Sequence, residues 1–320
     1  FDERARAEVM ANLFKTEHYE VVLHAGDMEN VMPELIWHLE DLRVGQCYPN
    51  FYVARLAGKF VKVVLSGAGG DELFGGYPWR YFRGINSTNQ QEFYRNYYAY
   101  WQRLTPDEDK VQLFTPDVYN AMNGHSAFDV FSGVMQPAEL RYETAEDFVN
   151  ASLYFEIKTF LHGLLLVEDK ISMAHSLETR VPFLDNDLVD FAMRVPPRYK
   201  LKSLSQPAPK IDEDAIGKRR HDGQTDNGKT VLRRAMSRHM PPAIAEGVKQ
   251  GFSAPDASWF RGESIDYIND LLRSPRARIY DYLQPQYVLA KLDEHITGMH
   301  NNRLLVWSLL SFEWWLRKFF

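Results

Sequence analysis

Between Ser66 and Gly76 the chain sets two glycine pairs, Gly69-Gly70 and Gly75-Gly76, on either side of two carboxylates, Asp71 and Glu72. Glycine has no Cβ, so its backbone can approach a ligand closely. A Gly-rich turn just past the carboxyl end of a strand offers backbone N–H groups to phosphate oxygens. An aspartate beside it can hold the accompanying metal ion. The apolar run Val61-Lys62-Val63-Val64-Leu65 supplies that strand and is expected to be buried. These types and spacings suggest a nucleotide–magnesium site. A tight structural turn with Asp71 as helix N-cap is the plainer alternative. The concentration of glycines beside paired carboxylates favours the site.

Other catalytic patterns fail. The turn lacks the Gly-Lys-Ser/Thr end of a P-loop, and Glu72 stands where the last glycine of Gly-x-Gly-x-x-Gly should be. Ser66 is not flanked as in a nucleophile elbow, and no His/Cys cluster has zinc spacing. Lys249, between Gly247 and Gly251 and bounded by Pro255, sits in a short stiff loop that suits a phosphate-facing role. A lone loop lysine is otherwise a surface charge. Glu168 and Asp169 end an apolar helical face and could point inward. Such carboxylates are more often ion-pair partners than general bases. Glu178 and Arg180, beside Pro182, read as a structural pair.

The elements that must position these residues follow from periodicity. Apolar spacing predicts helices over residues 3–15, with Asp2 as N-cap, and over 28–41, with Pro33 near the first turn. Residues 19–24 read as a strand and 51–57 as a helix. The resulting helix–strand alternation argues for an α/β fold with a parallel sheet and helical crossovers. Residues 77–160 are dense in aromatics, expected to be helix-packing residues because interleaved basic residues are few. Helices are further predicted over 151–176, 185–193, 230–240 and 304–316. Residues 203–229 are polar and read as an exposed excursion, with Lys218-Arg219-Arg220-His221 as a solvated run. A lid over a nucleotide is the sharper alternative.

Length bounds the chain to one large domain or two, and 45% apolar composition allows a sizeable core. A net charge of −6 argues against broad nucleic-acid binding, which needs basic stripes. No apolar run approaches the ~20 residues of a membrane span. The single cysteine, Cys47, rules out an internal disulfide and fits a reducing, cytoplasmic setting. The chain opens on Phe1-Asp2-Glu3-Arg4, without a signal peptide or initiator Met, and reads as a fragment or a processed piece.

Three blocks in order, SGAGGDELFGGY from Ser66, SMAHSLETRVPFLD from Ser172, and KTVLRRAM from Lys229 followed by KQGFSAP from Lys249, resemble the synthetase domain of glutamine-dependent asparagine synthetases. β-Lactam synthetases and lasso-peptide cyclases are related. The resemblance covers nearly the whole chain. It implies an adenine-nucleotide α-hydrolase-like, doubly wound, mostly parallel sheet of the PP-loop ATPase type with an added helical region. On that reading residues 1–76 are the partial nucleotide-binding part and residues 77–320 the mainly helical remainder. The implied reaction activates a carboxylate with Mg²⁺-ATP, and an amine then attacks to give an amide. By the resemblance, Ser66 and Gly67, with Gly69 and Gly70, would bind ATP, Asp71 would hold Mg²⁺, and Lys249 would be the catalytic lysine. Glu168 loosely matches the partner carboxylate of the β-lactam branch.

The departures are also informative. The pyrophosphate loop, Ser-Gly-Gly-x-Asp-Ser, and the glutaminase domain that supplies ammonia are absent from this chain, so residues 1–320 alone are expected not to turn over ATP. Ala68 stands where asparagine synthetases carry Glu and β-lactam synthetases Tyr. Gly247 replaces a basic residue. Ala68 keeps open a different acceptor on the same fold, and the late start keeps open a non-catalytic module. The expected partners are a small carboxylate, ammonia and, as one assembly the family allows, a second copy in a homodimer.

Overall fold

The computed structural model of the chain describes residues 4–42, 47–137, 139–205, 227–248 and 256–320. Asp2, Lys249 and the basic run at 218–221 lie outside the described residues.

Two strands, β1 (Val63–Leu65) and β2 (Glu178–Arg180), make a parallel pair with Val63 opposite Glu178 and Leu65 opposite Arg180. A parallel pair requires a crossover. Here the connection runs through eight described α-helices, from Gly70–Phe74 to His162–Ala174, and the described chain is otherwise mainly helical. No strand was expected at β2, whose three residues include one β-branched side chain, Thr179, between two charges. The Glu178–Arg180 ion pair expected there is present, Nε to Oε1 at 2.8 Å.

The predicted strand over 19–24 is not formed. Among the described residues it has no ladder partner, and Val21 and Val22 are exposed. The burial expected of β1 also needs correction. Alternating side chains point to opposite faces: Val64 packs on the main core, while Leu65 is 73% exposed. Only one face of this short pair is covered.

Helix Ala25–Leu39 starts earlier than its periodicity suggested, because the His24 N–H donates to the Asp27 carboxylate at 2.8 Å and caps the first turn. Pro33 therefore lies inside the helix, where it removes one ladder hydrogen bond. The helix expected over 151–176 is two helices, Ala145–Glu156 and His162–Ala174, joined by a π turn, Ile157–Leu161. A capping box of Thr144 and Asp147 sets the first start.

The largest core gathers helices Ala25–Leu39, Cys47–Ala57, Ile265–Leu272 and Arg303–Phe319 around Tyr48, Phe260 and Trp307. The last helix buries Leu305, Val306, Trp307, Leu309, Leu310 and Leu316. Each such side chain contributes about 1.5–3 kcal/mol. The aromatics of the middle region pack on one another as expected: Phe93, Tyr97, Phe131, Phe148 and Phe155 form a second core. No helix among the described residues is long and apolar enough to cross a membrane.

Candidate functional site

The turn after β1 is built by its own backbone. Ser66 N–H donates to the Arg180 carbonyl at 2.8 Å, which carries the pairing one residue past the strand. The Ser66 hydroxyl accepts from the Ala68 N–H at 3.2 Å and starts the turn. Gly69, at φ +91°, is the N-cap of the short helix Gly70–Phe74. The cap is thus glycine and not Asp71, because the backbone there is left-handed and lies against Leu184. Gly70 faces the Phe183 ring. Gly69 is therefore needed for packing against Pro182–Leu184, the segment after β2, and Gly70 sits close against the same segment. Gly67 differs: a Cβ there would meet nothing within 4 Å. It is the glycine of this turn with open space in front of it.

The two carboxylates have separate fates. Asp71 lies against Gly76, where a Cβ would collide with its side chain, and its Oδ1 is 3.0 Å from Lys229 Nζ. Glu72 is buried and accepts from the Tyr77 hydroxyl at 2.8 Å. Burial raises its pKa above the usual carboxylate range. Behind it, buried Arg80 stacks on Tyr77 and Phe160, the latter presented by the π turn, and pairs with Glu156 at 3.3 Å. Tyr97 donates to the other Glu156 oxygen at 2.9 Å. Burial pushes Glu156 up to about 7, although Arg80 opposes the shift. Burial works against the Arg80 charge, and Glu156 together with Tyr100, Tyr77 and Tyr81 outweighs it, holding the guanidinium above its ordinary value. Glu72 therefore anchors the turn to the helical region, and Asp71 is left as the carboxylate on its more exposed side.

Lys229 was quoted in a motif but given no role by sequence reasoning. It comes from a hook, Asn227-Gly228-Lys229, that seats on the far end of the turn. Gly228 lies directly on the Gly75 carbonyl, a contact that no other residue permits. Lys229 adopts φ +59°, donates its N–H to the Phe74 carbonyl at 3.1 Å and starts helix Thr230–Met236. Asn227 is buried and bonded to the backbone of Lys202 and Ser203. The sequence signal was the glycine before a lysine at a helix start.

Of the expected site residues, Ser66, Gly67, Gly69, Gly70 and Asp71 share this turn. Glu168 is half-buried on helix His162–Ala174, beside buried Val167 and Ile171, and no hydrogen bond or ion pair links it to the turn. Lys249 lies outside the described residues. A cavity of about 450 Å³ lined by Tyr98, Trp101, Leu309 and Phe312 includes none of these residues.

The residues can be tested for magnesium. Among the described residues there is no cluster of three or more metal-ligating side chains. Mg²⁺ keeps waters and needs only one or two protein carboxylates when phosphates complete its shell. Asp71 meets that requirement, and Lys229 shares its charge. For nucleotide phosphate, the open space at Gly67 and the Ser66 hydroxyl provide a polar approach.

The geometry is that of a glycine turn clamped by a lysine hook, and sequence comparison defines the family. The Asparagine synthase profile matches residues 1–317, and the chain belongs to that family. Similar proteins include asparagine synthetase [glutamine-hydrolyzing] 1 of Bacillus subtilis (strain 168), 27% identical over 98% of this chain and 50% of its own length. A putative asparagine synthetase of Mycobacterium bovis is 28% identical over 98% of this chain and 48% of its own length. Asparagine synthetase [glutamine-hydrolyzing] of Sandersonia aurantiaca is 25% identical over 89% of this chain and 41% of its own length. The chain spans about half the length of these two bacterial relatives.

Proposed function

We propose that the chain is the ATP-dependent synthetase part of an amide-forming enzyme of the asparagine-synthetase type. The observation that carries this reading is the Asp71–Lys229 pair at 3.0 Å, closing a glycine turn whose Gly67 faces open space. Residues 1–76 belong to a doubly wound nucleotide-binding sheet and residues 77–320 to its helical remainder. Ser66 and Gly67 approach ATP directly, and Gly69 and Gly70 shape the turn. Asp71 holds Mg²⁺, which would neutralise phosphate charge when bound.

A substrate carboxylate oxygen attacks the α-phosphorus, and the bond to pyrophosphate breaks. Ammonia, from a glutaminase region, then attacks the acyl carbon and AMP leaves. The protein contributes positioning and charge neutralisation more than covalent chemistry. Lys249 stabilises the charged transition state, and Glu168 is the candidate proton acceptor from the attacking amine. The setting is cytoplasmic, and a homodimer is one assembly the family allows.

ATP–pyrophosphate exchange by the full-length protein, with a panel of carboxylates, tests this. Exchange with aspartate and asparagine formation on adding ammonia are expected; no exchange with any acid would sink the reading. Ala68 favours a second reading, a different acceptor on the same chemistry. Its N–H bonds Ser66 and it carries no side chain able to handle an amine. Exchange with a larger carboxylate and none with aspartate is the result that would select it.

A further inference from the structure

Arg233 sits one turn into the helix that Lys229 begins, and its guanidinium joins two segments. Nε donates to the Gly228 carbonyl at 2.8 Å. One terminal nitrogen donates to the carbonyls of Ala245 at 3.2 Å and Gly247 at 2.6 Å. Gly228 is the residue seated on the Gly75 carbonyl. Ala245 and Gly247 end the short helix Pro242–Ala245 and lead, two residues on, to Lys249. Three acceptors on two segments match the fixed fork of a guanidinium and not the single point charge of an ammonium. The next residue, Arg234, is exposed and makes none of these bonds.

We infer that Arg233 is a positioning residue that ties the segment running into Lys249 to the hook on the glycine turn. This rests on the amide-synthesis reading for its catalytic consequence, but not for the tie itself. A reacting group displaced by about 1 Å can lose on the order of 100-fold in rate. Without Arg233 residues 245–247 lose their link to Gly228, while the glycine turn keeps its own hydrogen bonds.

The test compares the full-length wild type with Arg233→Ala, Arg233→Lys and Arg234→Ala by hydrogen–deuterium exchange and by ATP–pyrophosphate exchange. In Arg233→Ala, exchange over residues 242–248 should speed up roughly tenfold while residues 90–101 stay unchanged. Its kcat should fall about 100-fold with the KM for ATP within about twofold, as expected when orientation and not binding is lost. Arg233→Lys should fall between, and guanidinium at low millimolar concentration should restore part of the Arg233→Ala rate. Arg234→Ala should match wild type. Unchanged hydrogen exchange over 242–248 overturns the proposal whatever the turnover. Faster exchange there with wild-type kcat also overturns it, since the residue would then be merely structural. If the wild type shows no ATP–pyrophosphate exchange, the amide-synthesis reading falls, and hydrogen exchange alone decides whether Arg233 makes the tie.

Discussion

Asp71 and Lys229 are each about one-quarter exposed, so their attraction is screened only in part. A cation that competes for Asp71 must therefore displace an ammonium. Asp71→Asn should lower kcat/KM for Mg²⁺-ATP by roughly 100- to 1,000-fold, the loss typical of removing one preorganised charge contact. Titrating Mg²⁺ at fixed ATP checks it: an unchanged Mg²⁺ dependence would contradict the role. Lys200 is a residue of another kind. It is 3% exposed, and burial alone lowers its pKa from 10.5 to about 8. Folding thus favours the neutral amine. The folded protein is penalised wherever the unfolded lysine is charged. Stability is full above about pH 10.5 and falls as pH drops through about 8. Lys200→Met should raise stability near pH 7 by roughly 3 kcal/mol and flatten the slope between those limits, which urea unfolding at several pH values would measure. Arg80→Ala should do the reverse, costing about 3–5 kcal/mol by leaving Glu156 buried without its partner.

At the scale of elements, the glycines of the turn separate packing from binding. Gly69→Ala must force a side chain into left-handed backbone against Leu184, and Gly228→Ala must push against the Gly75 carbonyl. Each should cost about 1–3 kcal/mol or more. Gly67→Ala meets nothing, so it should leave the unfolding midpoint unchanged while weakening ATP binding. Calorimetric titration with ATP separates the two effects, and equal losses of stability at Gly67 and Gly69 would refute the distinction. The sequence made the turn legible because glycine spacing and the apolar run before it are local signals. The helices at 25–39 and 303–319 were legible for the same reason. The Asp71–Lys229 pair was not, because it joins segments far apart in sequence, and Gly228 resembled any loop glycine. The false strand at 19–24 shows the converse. Valines give a strand its propensity, but only a neighbour supplies its hydrogen bonds.

For the whole molecule, exposed Tyr19, Val22, Phe60 and Leu65 leave apolar surface around the sheet, with the Tyr19 and Phe60 rings stacked at 4.4 Å. A parallel sheet is ordinarily covered on both faces. Residues 1–320 produced alone should bind an apolar dye while folded, and Val22→Lys with Leu65→Lys should reduce that signal severalfold; no dye binding would argue against an accessible patch. The same sheet has a consequence for how the chain reaches its final form. Val63 must find Glu178 across a connection of more than a hundred residues that holds eight of the described α-helices. Loop-closure entropy grows only slowly with length, yet such distant pairings slow folding. The glycine turn is therefore expected to take shape late, after the helical cores have condensed. A nucleotide that bound only the finished turn would draw the folding equilibrium forward by mass action without hastening the search that precedes it.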